Sequence, residues 1–131
     1  MNIKEQVLSI EQVQELQELG FDTNKYASMC WVTYTSDEKP YEKEYSLSIL
    51  DEFCYESASL EPTPTMTIGD IISVLPVKIE EDYFLSVNSE HCEYTSMFGV
   101  VDTIFFTREK ELINNLFNTL VWCIKNKHIA L

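Results

Sequence analysis

The chain has 131 residues, of which 45% are hydrophobic and 24% charged, the balance of a folded domain and not of a disordered chain. Its formal net charge is −13, and this sign disfavours direct binding to nucleic acid or to an anionic membrane, since both require clustered lysine and arginine. The sequence has neither an apolar leader nor a run of about 18 apolar residues, so we expect one cytoplasmic domain over residues 1–131 without a transmembrane helix.

The first predicted element is a helix that begins at a capping box. Ser9 and Gln12 have the spacing at which each side chain accepts a hydrogen bond from the other residue's backbone N–H. Gly20 stands where a left-handed residue ends a helix, and Phe21 can fold back onto the last turn. Apolar residues recur between these ends at helical spacing, at Ile10, Val13, Leu16 and Leu19.

Two strands are predicted after this helix. Residues 26–35 are rich in aromatic and β-branched types and carry apolar groups on both faces, which favours a central strand. A turn at residues 36–40 leads to residues 44–49, where apolar and polar side chains alternate as in a half-exposed antiparallel strand. Residues 51–66 are acidic, and we expect them to form an irregular loop because Glu61-Pro-Thr-Pro64 opposes regular structure.

The second half predicts a short helix, two or three strands and a long helix. The short helix begins at a second capping box, Thr67 to Asp70, and ends at Pro76. Strands follow at residues 83–88, 93–98 and 103–106. The long helix is expected to begin near Arg108 behind a Thr107 cap, and its apolar face contains Leu112, Ile113, Leu116, Phe117, Leu120, Val121 and Ile124.

The order α-β-β-α-β-β-(β)-α predicts an α+β fold. The simplest arrangement is one mostly antiparallel sheet of four to five strands, with two or three helices packed on one face.

The sequence lacks the common catalytic patterns. A phosphate-cradling glycine loop is disfavoured because the three glycines are isolated, and neither Gly-x-Ser-x-Gly nor His-Glu-x-x-His occurs. We therefore expect no cofactor and no enzymatic activity.

The four cysteines are dispersed and form no Cys-x-x-Cys pair, so we expect reduced thiols. Cys30 and Cys123 follow the pattern of core residues. Cys54 and Cys92 fall in segments expected to be exposed, but acidic neighbours disfavour a reactive thiolate at either position.

Glu90-His-Cys-Glu93 gathers residue types that ligate metals. In a strand, however, His91 and Cys92 point to opposite faces, so a metal site would need a distant donor such as Cys54. We therefore interpret this segment as an ordinary turn, with a metal site at His91, Cys92 and Cys54 as the alternative.

Acidic and aromatic residues favour an interaction surface for a basic protein. Six acids and no base lie between residues 80 and 102, and tyrosine with its polar tip suits interfaces. The candidate surface residues are Tyr41, Glu52, Tyr55, Glu56, Glu90 and Glu93.

Three stretches, residues 8–23, 66–76 and 120–126, carry a resemblance to a known group of proteins. They resemble small uncharacterised proteins of gut Bacteroidales that look associated with phages or mobile elements. This resemblance implies no activity and no site residues.

The leading hypothesis is therefore a non-enzymatic acidic protein that binds another protein, as an accessory protein of a phage or mobile element. One alternative is an immunity-type inhibitor of a basic toxin or nuclease. Another is a small metal-binding protein or enzyme that uses His91.

Overall fold

Helices and strands follow one another in the predicted order, with two additional strands. The computed structural model describes residues 3–35, 43–50, 61–96 and 102–131. The helices are α1 (Ile10–Glu18), α2 (Ile68–Val74) and α3 (Leu112–Lys125), with short 3-10 turns at Ile3–Glu5 and Thr23–Lys25. The strands are β1 (Met29–Thr35), β2 (Lys43–Ile49), β3 (Glu61–Thr65), β4 (Lys78–Ile79), β5 (Tyr83–Val87), β6 (Cys92–Ser96) and β7 (Asp102–Thr107). The α+β class is confirmed.

The strands form two antiparallel sheets, which corrects the expectation of a single one. The first sheet has the order β2-β1-β3 and the second has the order β4-β5-β6-β7. Both edges of β1 are occupied, by β2 and by β3, so β1 offers no edge to the later strands.

Strand β3 lies in the segment that was expected to be an irregular loop. Pro62 pairs with Val32 and Pro64 with Cys30, at one end of the sheet. Backbone N–H groups alternate between the two edges of a strand, and the two prolines are two residues apart. Both nitrogens can therefore face the outer edge, where a missing donor breaks no bond to β1.

Helix α1 has the predicted ends. Ser9 N donates to Gln12 Oε1 at 3.0 Å, and Gln12 N donates to Ser9 Oγ at 3.1 Å. Gly20 has a φ of 87°, and Phe21 N donates to Leu16 O at 3.0 Å, so the helix ends in a Schellman motif.

Helix α2 also begins at its predicted capping box, and the box has a further function in the fold. Thr67 N donates to Asp70 Oδ2 at 3.0 Å, and Asp70 N donates to Thr67 Oγ1 at 3.1 Å. Asp70 Oδ2 also accepts from Ser28 Oγ at 2.6 Å, which fixes α2 against the residue preceding β1.

The predicted start of α3 is wrong. The helix begins at Leu112 and not near Arg108, and the supposed cap Thr107 is the buried last residue of β7. The side chain of Asn115 accepts a hydrogen bond from Glu109 N at 2.6 Å, which holds the preceding residues outside the helix, and it donates to Glu90 O, 25 residues away, at 3.3 Å.

One main hydrophobic core joins all three helices to the second sheet. Helix α3 contacts α2, β6 and β7, while α1 contacts β3. The buried members of this core are Leu8, Val13, Leu16, Phe21, Met66, Ile71, Leu75, Ile79, Cys92, Tyr94, Ile113, Leu116, Phe117, Leu120, Cys123 and Ile124. None of the helices in the described ranges is long and apolar enough to cross a membrane.

The cysteine predictions are confirmed in part. Cys30 and Cys123 are buried as expected. Cys92 is also buried, which corrects its predicted exposure, because strand alternation turns it towards the core while its neighbour Glu93 points away. Cys54 lies outside the described residues.

Candidate interaction surface

Strand alternation divides the second sheet into a covered face and an outer face. Tyr83, Leu85 and Val87 of β5 pack against the main core, and so do Cys92 and Tyr94 of β6. The side chains that alternate with these point away from the helices. We call them, together with His91, the outer face, which consists of Phe84, Ser86, His91, Glu93, Thr103, Ile104 and Phe106, with the buried Thr95 paired between Phe84 and Thr103.

Three large apolar side chains of the outer face are exposed to solvent. The exposed fractions are 37% for Phe84, 42% for Ile104 and 52% for Phe106. Sheets of two-layer domains bury their apolar face against another element, and exposed apolar patches mark interaction sites. The outer face therefore has the character of a surface that another molecule covers.

Glu93 lies among these apolar residues. It pairs directly with Phe106 of β7 on one side and with Ser86 of β5 on the other. Only 24% of its side chain is exposed. The side chain is thus largely covered by its neighbours, although it belongs to the solvent side of the sheet.

His91 completes the surroundings of this carboxylate. His91 Nε2 lies 3.7 Å from Glu93 Oε1, and the imidazole ring lies 5.2 Å from the ring of Phe106, centroid to centroid. Asn88 fixes the turn before β6, since its Oδ1 accepts from Glu90 N at 2.8 Å and from His91 N at 2.9 Å. The imidazole is therefore held against the outer face.

Glu90 lies at the rim of this surface, beside Arg108. The two side chains approach to 3.5 Å, but 71% of Glu90 and 67% of Arg108 are exposed, so solvent screens the pair. The backbone of Glu90 is anchored from below, because Asn115 Nδ2 donates to Glu90 O at 3.3 Å. The position of Glu90 is therefore set by the hydrogen bond to its backbone and not by its ion pair with Arg108.

Tyr83 and Asp102 form a further polar contact at the far end of the sheet. The Tyr83 hydroxyl donates to Asp102 Oδ2 at 2.5 Å. This hydrogen bond, with smaller contributions from desolvation and from nearby acids, raises the pKa of Tyr83 above its ordinary value of 10.0. The contact links the ends of β5 and β7 across β6.

Only two of the six predicted surface residues lie in the part of the chain that the structure describes. Glu90 and Glu93 lie at one end of the outer face, as described above. Phe84, Ile104 and Phe106 were missed, although one signal was present: β5 and β7 carry apolar residues at consecutive positions, so both faces of the sheet had to receive some. The other predictions, for Tyr41, Glu52, Tyr55 and Glu56, lie outside the described residues.

The metal candidates His91 and Cys92 point to opposite faces of the sheet, as strand geometry dictates. Within residues 3–35, 43–50, 61–96 and 102–131, no three His, Cys, Asp or Glu side chains are grouped so that they could hold a metal ion. Burial raises the pKa of both the Cys92 and the Cys123 thiol, which opposes a nucleophilic thiolate at either position. The third candidate ligand, Cys54, falls in the part of the chain that is not described.

A concave region lies beside the start of α1 and the first sheet. It is an open cleft of about 230 Å³ lined by Ser9, Ile10, Glu11, Trp31 and Tyr45. Its apolar floor is the indole of Trp31, whose Nε1 donates to Leu8 O at 2.8 Å. The indole donor is therefore already engaged within the fold.

Of these features, the outer face of the second sheet combines exposed apolar area with a partly enclosed carboxylate. Glu93 and its neighbours His91 and Phe106 place a carboxylate, an imidazole and an aromatic ring together on this surface. Comparisons with protein-family models, with curated proteins and with solved structures find no match for this chain.

Proposed function

We propose that this chain is a cytoplasmic, non-enzymatic protein that binds another protein through the outer face of the second sheet. The observation that carries the proposal is the exposure of three large apolar side chains on one sheet face, Phe84 on β5 and Ile104 and Phe106 on β7, with β6 between them. Burying such residues is the main favourable term in protein association.

The contribution of these apolar side chains to the free energy of binding is modest. Complete burial of the exposed fractions of these three side chains contributes on the order of 2–4 kcal/mol, since full burial of one such side chain contributes about 1.5–3 kcal/mol. Association itself costs at least about 4 kcal/mol. Polar contacts must therefore contribute, and the net charge of −13 favours a basic partner.

An accessory role in a phage or mobile element belongs to the same proposal and is supported by the sequence resemblance. An immunity-type inhibitor is the special case in which the bound protein is a basic toxin or nuclease. Both roles require the same surface chemistry, so one set of variants tests them.

The test is affinity capture from a host lysate with matched variants. Ile104 on the outer face and Ile72 on α2 are the same residue type with the same exposed fraction of 42%. We expect Ile104→Ser to reduce capture of a specific protein about three- to ninefold, because it removes about 0.6–1.3 kcal/mol of apolar burial. The control Ile72→Ser is expected to capture the protein as the wild type does.

The proposal is wrong if no protein is captured above background. It is also wrong if Ile72→Ser and Ile104→Ser reduce capture equally, because the effect would then not belong to the outer face. Circular dichroism of both variants verifies that they are folded.

A further inference from the structure

We infer that Glu93 binds an arginine side chain of the partner protein, with the guanidinium group lying against the ring of Phe106. This inference rests on the proposed function and specifies the chemistry of the partner at the centre of the surface.

The first argument is the position of Glu93. About three-quarters of its side chain is covered by its neighbours, yet it points to the solvent side of the sheet. Among the described residues the one cationic group within ion-pair distance is His91, which is charged only when protonated. A permanent cation supplied from outside would stabilise this carboxylate further.

The second argument is the ring beside it. Phe106 lies directly opposite Glu93 on the neighbouring strand, so the two side chains leave the sheet about 5 Å apart. Half of Phe106 is exposed. The His91 imidazole already contacts this ring at 5.2 Å, so a planar cation would stack on the exposed part of the ring while its edge donates to the carboxylate.

These two neighbours favour arginine over lysine. A guanidinium group is planar, remains charged, stacks on aromatic rings and donates two parallel hydrogen bonds to one carboxylate, whereas an ammonium group acts as a strongly hydrated point charge. A partly apolar site with a single carboxylate therefore suits the more weakly hydrated cation.

A second copy of this chain is the less favourable occupant. Two copies each carry a net charge of −13, so self-association works against long-range repulsion. A basic protein gains from the same field, and an arginine is the natural contact residue of such a partner.

The experiment uses nuclear magnetic resonance with two small probes, N-acetyl-arginine amide and N-acetyl-citrulline amide. The second probe has nearly the same shape as the first but carries no charge. We expect the arginine probe to shift the backbone amide signals of Glu93 and Phe106 in a saturable way, and the citrulline probe to bind several-fold more weakly.

Two variants with the same change of charge locate the site. Glu93→Gln is expected to weaken binding of the arginine probe about fivefold or more. Glu15→Gln, at an exposed position of α1, is expected to leave it unchanged. Equal binding of the two probes, equal affinity of wild type and Glu93→Gln, or shifts confined to α1 would each overturn the inference.

Affinity capture then separates this inference from the proposed function. A captured protein that is lost with Ile104→Ser but retained in full by Glu93→Gln would overturn the arginine contact and leave the function standing. A protein whose capture neither variant reduces would refute the proposed function itself, whatever the probes show.

Discussion

Replacing the buried amide of Asn115 should destabilise the protein more than its position in a helix suggests. Asn115 is fully buried, in the second turn of α3. Its Oδ1 accepts from Glu109 N at 2.6 Å, and its Nδ2 donates to Glu90 O at 3.3 Å. Longer contacts of 3.4 Å join it to Thr107 Oγ1 and Glu109 O. One side chain thus ties the β5–β6 turn, the end of β7 and the start of α3 together.

The magnitude follows from these bonds. A buried hydrogen bond contributes about 1 kcal/mol net, and a buried polar group left without a partner costs about 1–3 kcal/mol. Asn115→Ala removes two good bonds and two long ones, but the backbone groups of Glu90 and Glu109 are only partly buried and water can reach them. We therefore expect the free energy of unfolding to fall by about 2–4 kcal/mol.

Urea denaturation followed by circular dichroism measures this change. Asn118→Ala is the matched control, because Asn118 lies on the same helix and makes one hydrogen bond, from its Nδ2 to Thr107 Oγ1 at 2.9 Å. It should cost about 1 kcal/mol. If Asn115→Ala unfolds at the same urea concentration as the wild type, or if Asn118→Ala costs as much as Asn115→Ala, the role given to Asn115 is refuted.

Three further predictions follow from single contacts. The raised pKa of Tyr83 reflects a neutral hydroxyl donating to Asp102, so the stabilisation by this bond is present below pH 10.0 and is lost as the pH rises through the folded-state pKa. Asp102→Asn should lower the Tyr83 pKa. An ultraviolet titration measures it, with the Tyr83 signal obtained by subtracting the titration of a Tyr83→Phe variant. In Cys54→Ser, where only buried thiols remain, a thiol reagent should react with none until urea unfolds the protein, and rapid labelling of the native variant would contradict their burial. Gly20→Ala should lower the free energy of unfolding by about 1 kcal/mol, because the φ of 87° is unfavourable for alanine. The added Cβ itself has room, since its nearest neighbour, Leu131 Cδ1, lies at an ordinary 3.6 Å. An unchanged stability would contradict this backbone strain.

Features set by neighbouring residues were predictable from the sequence. The capping boxes at Ser9 and Thr67 and the left-handed end at Gly20 each involve groups within about five residues of one another. Apolar spacing likewise located all three helices and most of the strands. Local geometry limits the choices so strongly that these elements form as expected.

Features set by distant residues were not predictable. The start of α3 depends in part on Asn115 meeting Glu90, 25 residues away, and the proline-containing β3 is a strand only because β1 had an edge to pair with. The pairing of β3 with β1 outweighs the local preference of Glu61-Pro-Thr-Pro64 for a loop.

The candidate surface shows the same division. The sequence by itself determined the negative charge and the strands that carry Glu93 and Phe106, because charge is additive and strand patterns are local. Only the tertiary structure decided that α3 covers one face of the second sheet and that these two residues stand side by side on the other. Strand pairing and helix packing join residues far apart in the chain, and no pattern within a single segment records which partner each will meet.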